Sequence, residues 1–214
     1  MDRSRVRNRR IAVVLGAGLG AGTVALLGTV AGACSQAGWI NGVHLAGGTT
    51  TVTLEAPAAG RLDRAGIVLT AAGSPAAAHG ALAFPVSGGL IWSESGWGTV
   101  DHAGSLTVTD TDTNRSVSLS NIELDFLPTP AVFVRTSQGT TFQLFDVLLK
   151  EQPETGITLT SERGTHRRVD YTGVGLALSS QGAVFLDNAL GTHAFSGGEQ
   201  IGTARVAGRG TLAT

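Results

Sequence analysis

The chain has 214 residues with 15 basic and 16 acidic side chains, and Cys34 is its one cysteine. A near-neutral balance without a concentrated basic surface weighs against nucleic acid, whose phosphates demand one. A lone cysteine excludes an intramolecular disulfide and any zinc site built on cysteines.

The first 33 residues read as an export signal. Arg3, Arg5, Arg7, Arg9 and Arg10 precede an apolar run from Ile11 to Val30, followed by the small residues Ala31, Gly32 and Ala33. Cys34 comes next and suits lipoprotein processing, in which it becomes the lipid-bearing first residue. Ala31 and Ala33 also fit ordinary cleavage of a secreted protein. The apolar run is long enough to span a bilayer, so an uncleaved anchor is a third reading. Removing the signal leaves ten basic and fifteen acidic residues, a mildly acidic mature domain of extracytoplasmic location, attached to the membrane or released.

Residues 34–48 are glycine-rich with little periodicity and read as a flexible arm. Residues 49–214 then form a single domain, predicted to be all-β: an antiparallel β-sandwich with bent long strands and one short helix near the C-terminus. Alternation puts Val52 with Leu54 on one face, then Leu82, Phe84 and Val86, Leu106 and Val108, Val132 and Val134, and Ile157 and Leu159. Between Arg115 and Phe126 the apolar parity changes from Val117 and Leu119 to Ile122 and Leu124. A one-residue shift near Ser120 and Asn121 predicts a β-bulge or a strand crossing. Phe142 and Leu144 against Phe145 and Val147 show the same break. Ser179 and Ser180 offer N-caps for the predicted helix, whose apolar set is Ala183, Val184, Leu186, Ala189 and Leu190, with Gly191 ending it. It is the one segment read as helix. Ile201 to Val206 is predicted to close the domain as a last strand.

Motifs for chemistry are sparse. Asp110, Asp112 and Asn114 alternate like calcium-loop ligands, but Arg115 stands where such a loop needs glycine and Asn121 where it needs glutamate, so a hairpin turn is expected. No G-x-S-x-G or H-E-x-x-H occurs, and the chain is not expected to be an enzyme. His44, His79, His102, His166 and His193 lack ligand spacing, and no metal site is expected. Arg163, His166, Arg167 and Arg168 read as a solvated turn. Trp92 and Trp97 flank Ser93, Glu94, Ser95 and Gly96, either as an exposed aromatic platform for a ligand or as hairpin-end packing.

Several stretches carry a family resemblance: F-P-V-S-G-G from Phe84, H-A-G-S-L from His102, S-N-I-E-L from Ser120, F-D-V-L-L from Phe145, the run Leu176 to Ala183, and F-S-G-G from Phe195. In these the chain resembles the haem-uptake (HtaA-type) domains of actinobacterial surface proteins. That resemblance implies a β-rich domain binding haem through a tyrosine supported by a histidine, which would be His102. Phe195 stands near the place of the family's closing tyrosine, and Tyr171, the sole tyrosine, matches no family ligand position. The resulting expectation is a lipid-anchored envelope module binding haem or another small ligand at His102, Trp92 and Trp97. The alternative is a structural or adhesive surface protein without a small-molecule site.

Overall fold

The computed structural model describes residues 42–72, 81–92, 95–149, 156–162 and 164–213. The export signal and Cys34 lie outside them. The described chain is dominated by strands: β1 (Gly42–Leu54), β2 (Ile67–Ala72), β3 (Ala81–Trp92), β4 (Gly98–Asp110), β5 (Arg115–Asp125), β6 (Ala131–Thr136), β7 (Thr141–Leu148), β8 (Gly156–Ser161), β9 (His166–Leu178) and β10 (Gln200–Leu212). Two helices join them, α1 (Ala56–Arg64) after β1 and α2 (Ser180–Leu190) after β9. No helix among the described residues is long and apolar enough to cross a membrane.

All strand pairings are antiparallel, and they run β10-β1-β3-β4-β5-β6-β7-β9 with β9 pairing back onto β10. Eight strands therefore close a barrel, while β2 shares with β3 one edge of β4 and β8 shares with β7 one edge of β9. The expected sandwich is corrected to a barrel. Alternation reports which side chains face inward, and both architectures bury one face of each strand. What separates them is the closure of β10 onto both β1 and β9, which no local pattern encodes.

The strands bend where the parity broke. The register slips between His102/Ser105 and its β5 partners, and again between Ser120/Glu123 and β6, with Asn121 at a φ of 47° between them. On β7, Val132 pairs with Phe145 and Phe133 with Gln143, which skips Leu144. Each bulge turns the strand so that inward-facing apolar residues stay inward on both sides of it. A core follows that includes Val43, Ile91, Val100, Leu119, Leu124, Phe126, Val134, Leu144, Val169 and Tyr171.

The glycine-rich segment needs a second correction. β1 begins at Gly42, so residues 42–48 are barrel strand rather than arm. Periodicity fails there because the register shifts between Leu45 and Gly47.

The helix α2 forms where the caps place it. Ser179 Oγ accepts the Gly182 N–H at 2.8 Å and donates to the Gln143 carbonyl at 2.7 Å, and Gly191 ends the helix in the left-handed region at φ 71°. Leu186 and Leu190 are buried against the barrel, but Val184 is exposed, so it leaves the predicted apolar face. Gly182 sits where a Cβ would lie 2.6 Å from the Leu144 carbonyl oxygen. Gly182→Ala is therefore expected to lower stability by about 1–3 kcal/mol in urea denaturation, although alanine favours helix by about 1 kcal/mol. A stabilised variant would contradict that close approach. The helix α1 was missed, being short and lacking a side-chain cap bond at Glu55. Its one clear signal is Pro57 in the first turn.

Candidate functional site

Inside the barrel lies an apolar cavity, with about 60 Å³ open to the centre of a water-sized sphere. Its walls come from β1 to β7, β9 and β10, with Thr50, Phe84, His102, Leu144, Leu176 and Ala204 among them. Every atom facing it is apolar. Five lining residues, Val52, Leu54, Leu69, Leu82 and Phe145, keep partial exposure, and we take the first four, towards the end where β1 finishes and β3 starts, as its mouth.

His102 and Thr50 are the polar residues in the wall, and they satisfy each other. The His102 Nδ1 lies 3.1 Å from the Ile122 carbonyl, which can only accept, so Nδ1 carries the proton. Nε2 is then the acceptor for the Thr50 hydroxyl at 2.6 Å. Phe84 meets the ring edge-on, with centroids 6.5 Å apart. Burial holds the His102 pKa below its ordinary 6.5, against an opposing pull from the Ile122 carbonyl and Asp101. The imidazole is thus neutral, with neither nitrogen free for a ligand. Above pH 6.5 it is neutral folded or unfolded. Below that pH the unfolded chain takes a proton that the folded one refuses, so stability falls until the folded pKa is reached. Melting temperature is expected to drop between pH 7 and pH 5, and to drop less in His102→Gln. An unchanged pH profile in that variant would remove His102 as the cause.

Tyr171 closes the far part of the interior. It is 1 % exposed, stacks on Phe126 at 4.6 Å, and donates its hydroxyl to the Gly96 carbonyl at 2.5 Å. Burial pushes its phenol well above the ordinary value. A haem ligated by tyrosinate needs an ionised, accessible phenol with a histidine beside it. Neither Tyr171 nor His102 offers that, so this donor set does not fit the group.

The other two expected site residues, Trp92 and Trp97, are not part of the cavity wall. Trp92 and Trp97 stand at the β3–β4 hairpin, joined by the Trp92 N–H to the Trp97 carbonyl at 2.8 Å. Trp92 is half-buried and Trp97 exposed, and neither lines the cavity. His44, His166 and His193 are exposed, and His79 lies outside the described residues. Among the described residues no three His, Cys, Asp or Glu side chains group as metal ligands. The calcium-like stretch is the expected turn. Asp110 Oδ1 accepts the N–H groups of Asp112 and Thr113 at 2.9 and 3.1 Å, which hold its carboxyl below the usual range.

The fold has a remote relative. The chain resembles the crystal structure of the C-terminal domain of HtaA from Corynebacterium glutamicum, at 14 % identity and a TM-score of 0.45, over 80 % of this chain and 99 % of that one. No family model matches the chain, and no curated protein matches it. The motifs that carry the HtaA-type resemblance have structural work here. F-P-V-S-G-G spans the β3 bulge between Val86 and Gly88, and H-A-G-S-L spans the β4 bulge opposite Asn121. Within F-S-G-G, Phe195 N–H bonds the Asp187 carboxylate at 3.2 Å and Gly198 N–H bonds the Leu178 carbonyl at 2.7 Å, pinning the chain beside α2. Sequence reasoning found His102 but not its partner Thr50, fifty-two residues away, and missed the cavity.

Proposed function

We propose that the chain is a non-enzymatic, extracytoplasmic binding module of the cell envelope, lipid-anchored at Cys34, that takes the apolar end of a small ligand into its barrel. The carrying observation is the apolar cavity whose polar wall residues, Thr50 and His102, are already hydrogen-bonded. Eight-stranded closed barrels have an interior that side chains fill or that admits one small ligand. Apolar cavities of this kind stay dry and accept apolar guests. The ionisable lining residue His102 has its proton fixed on Nδ1, which supports binding over proton transfer. A ligand with an acyl chain suits a narrow space with an open mouth at Val52, Leu54, Leu69 and Leu82. Haem, which the family resemblance implies, lacks its tyrosinate ligand here.

Titration with cis-parinaric acid tests this reading: fluorescence should rise saturably with one site per chain. Haemin added to the same protein should give no tyrosinate-type Soret band. Absence of saturable parinarate binding would remove the cavity as a site and favour the structural or adhesive role. A tyrosinate-type band would overturn the reading of Tyr171. For the anchor, wild type is expected in the membrane fraction and Cys34→Ala outside it. A variant that stays fully in the membrane would rule out lipidation.

A further inference from the structure

The two ends of the barrel differ. At one, β1 runs into α1 and the cavity has its mouth at Val52, Leu54, Leu69 and Leu82. At the other, β1 begins, β3 turns into β4, β5 turns into β6 and β7 ends, since each strand runs antiparallel to its neighbour. The interior there is stopped by Tyr171 on Phe126 and the Gly96 carbonyl.

The rim of this stopped end carries exposed apolar side chains. Trp97 is 44 % exposed on the β3–β4 turn, Leu127 37 % between β5 and β6, and Leu149 38 % just past β7. Pro128 beside Leu127 is exposed as well. Single exposed apolar residues need no explanation, but these three fall on successive connections around one end of the barrel. The same end receives the start of β9 and the finish of β10. These bring His166, Arg167, Arg168 and Arg209 around a groove of about 770 Å³ that also holds Glu162. Arg168 pairs with Asp170 and Arg167 donates to the Gly164 and His166 carbonyls, whereas Arg209 is exposed with no ion pair among the described residues.

Gly42 opens β1 at this end, opposite Trp92, and Cys34 lies eight residues upstream. Even fully extended, that tether spans at most about 29 Å. A lipid on Cys34 would keep the start of β1, which lies at this end, within about 29 Å of the bilayer. Tryptophan favours the membrane–water interface, and arginine is attracted to an anionic surface. A second signal of this kind is what turns a weak lipid attachment into a stable one.

We propose that the stopped end of the barrel seats on an anionic bilayer, with Trp97, Leu127 and Leu149 in the headgroup region and the cavity mouth turned away from the membrane. The proposal rests on the lipid anchor at Cys34. Because Cys34 is the sole cysteine, the mature chain can be coupled there to a maleimide-headgroup lipid. With Trp39→Phe and Trp92→Phe, Trp97 is the single tryptophan left as reporter. On vesicles of phosphatidylglycerol and brominated phosphatidylcholine, its emission should shift to the blue and lose more than about half its intensity relative to unbrominated vesicles. Leu127→Glu combined with Leu149→Glu should abolish most of that quenching. Unquenched Trp97 on protein that remains vesicle-bound would overturn the seating. Since the coupling is chemical, failure of natural lipidation leaves this result untouched and shows only in the Cys34→Ala fractionation.

Discussion

Ala204→Leu is expected to weaken parinarate binding by at least about tenfold while the barrel stays folded. Ala204 is buried on β10 between Val52 of β1 and Val174 of β9, and its methyl group faces the cavity. Leucine places three more carbons in that space. Each methylene of ligand kept out of the barrel forfeits about 0.8 kcal/mol, and about 1.4 kcal/mol is a tenfold change in affinity. Adding atoms to a full core costs about 1–3 kcal/mol, but here they enter an existing void, so the melting temperature should hold or rise. Unaltered affinity with unaltered melting would place the ligand elsewhere.

Gly98→Ala is expected to have the largest effect on stability, a loss above about 4 kcal/mol or no soluble barrel. Gly98 opens β4 at a φ of 145°, and a Cβ there would lie 1.9 Å from the Leu90 carbonyl oxygen and 3.0 Å from the Ile91 Cα. These are backbone atoms of the paired strand, so no rotamer relieves the collision. Gly139→Ala serves as the control: its φ of 86° carries similar conformational strain, but nothing lies within 4 Å of the added carbon. The control should lose only about 1 kcal/mol. Equal losses at both positions, measured by urea denaturation, would assign the Gly98 effect to backbone strain alone.

Those two positions also show what was legible in the sequence. Strands, bulges and the capped helix were readable because their causes are local. The parity break at Ser120 and Asn121 is a bulge, and Ser179 and Gly191 bound α2. The barrel was not readable, because closure depends on β10 meeting strands about 150 residues away in β1 and about 30 away in β9. The glycines of β1 read as an arm, although they are what lets β1 approach β10 so closely: a Cβ on Gly48 would lie 2.1 Å from the Ala207 carbonyl oxygen.

His102 is the histidine that the resemblance would set beside a haem-bound tyrosine, whereas here it lies in the cavity wall with Thr50 on one nitrogen and Ile122 on the other. Trp92 and Trp97, read as an aromatic platform or as hairpin-end packing, stand at the β3–β4 hairpin with Trp92 half-buried and Trp97 exposed. The motifs behind the HtaA-type resemblance lie at bulges and helix contacts, so in this chain they bear on backbone geometry and little on what the barrel holds.

The claim that the barrel interior receives an apolar chain is tested most directly by a crystal structure of the mature protein grown with decanoate. Continuous chain density is expected between Thr50, Phe84, Leu144 and Ala204, with the carboxylate at the mouth by Val52, Leu54 and Leu82. An interior closed by its own side chains, with decanoate absent or bound only outside the barrel, would contradict it.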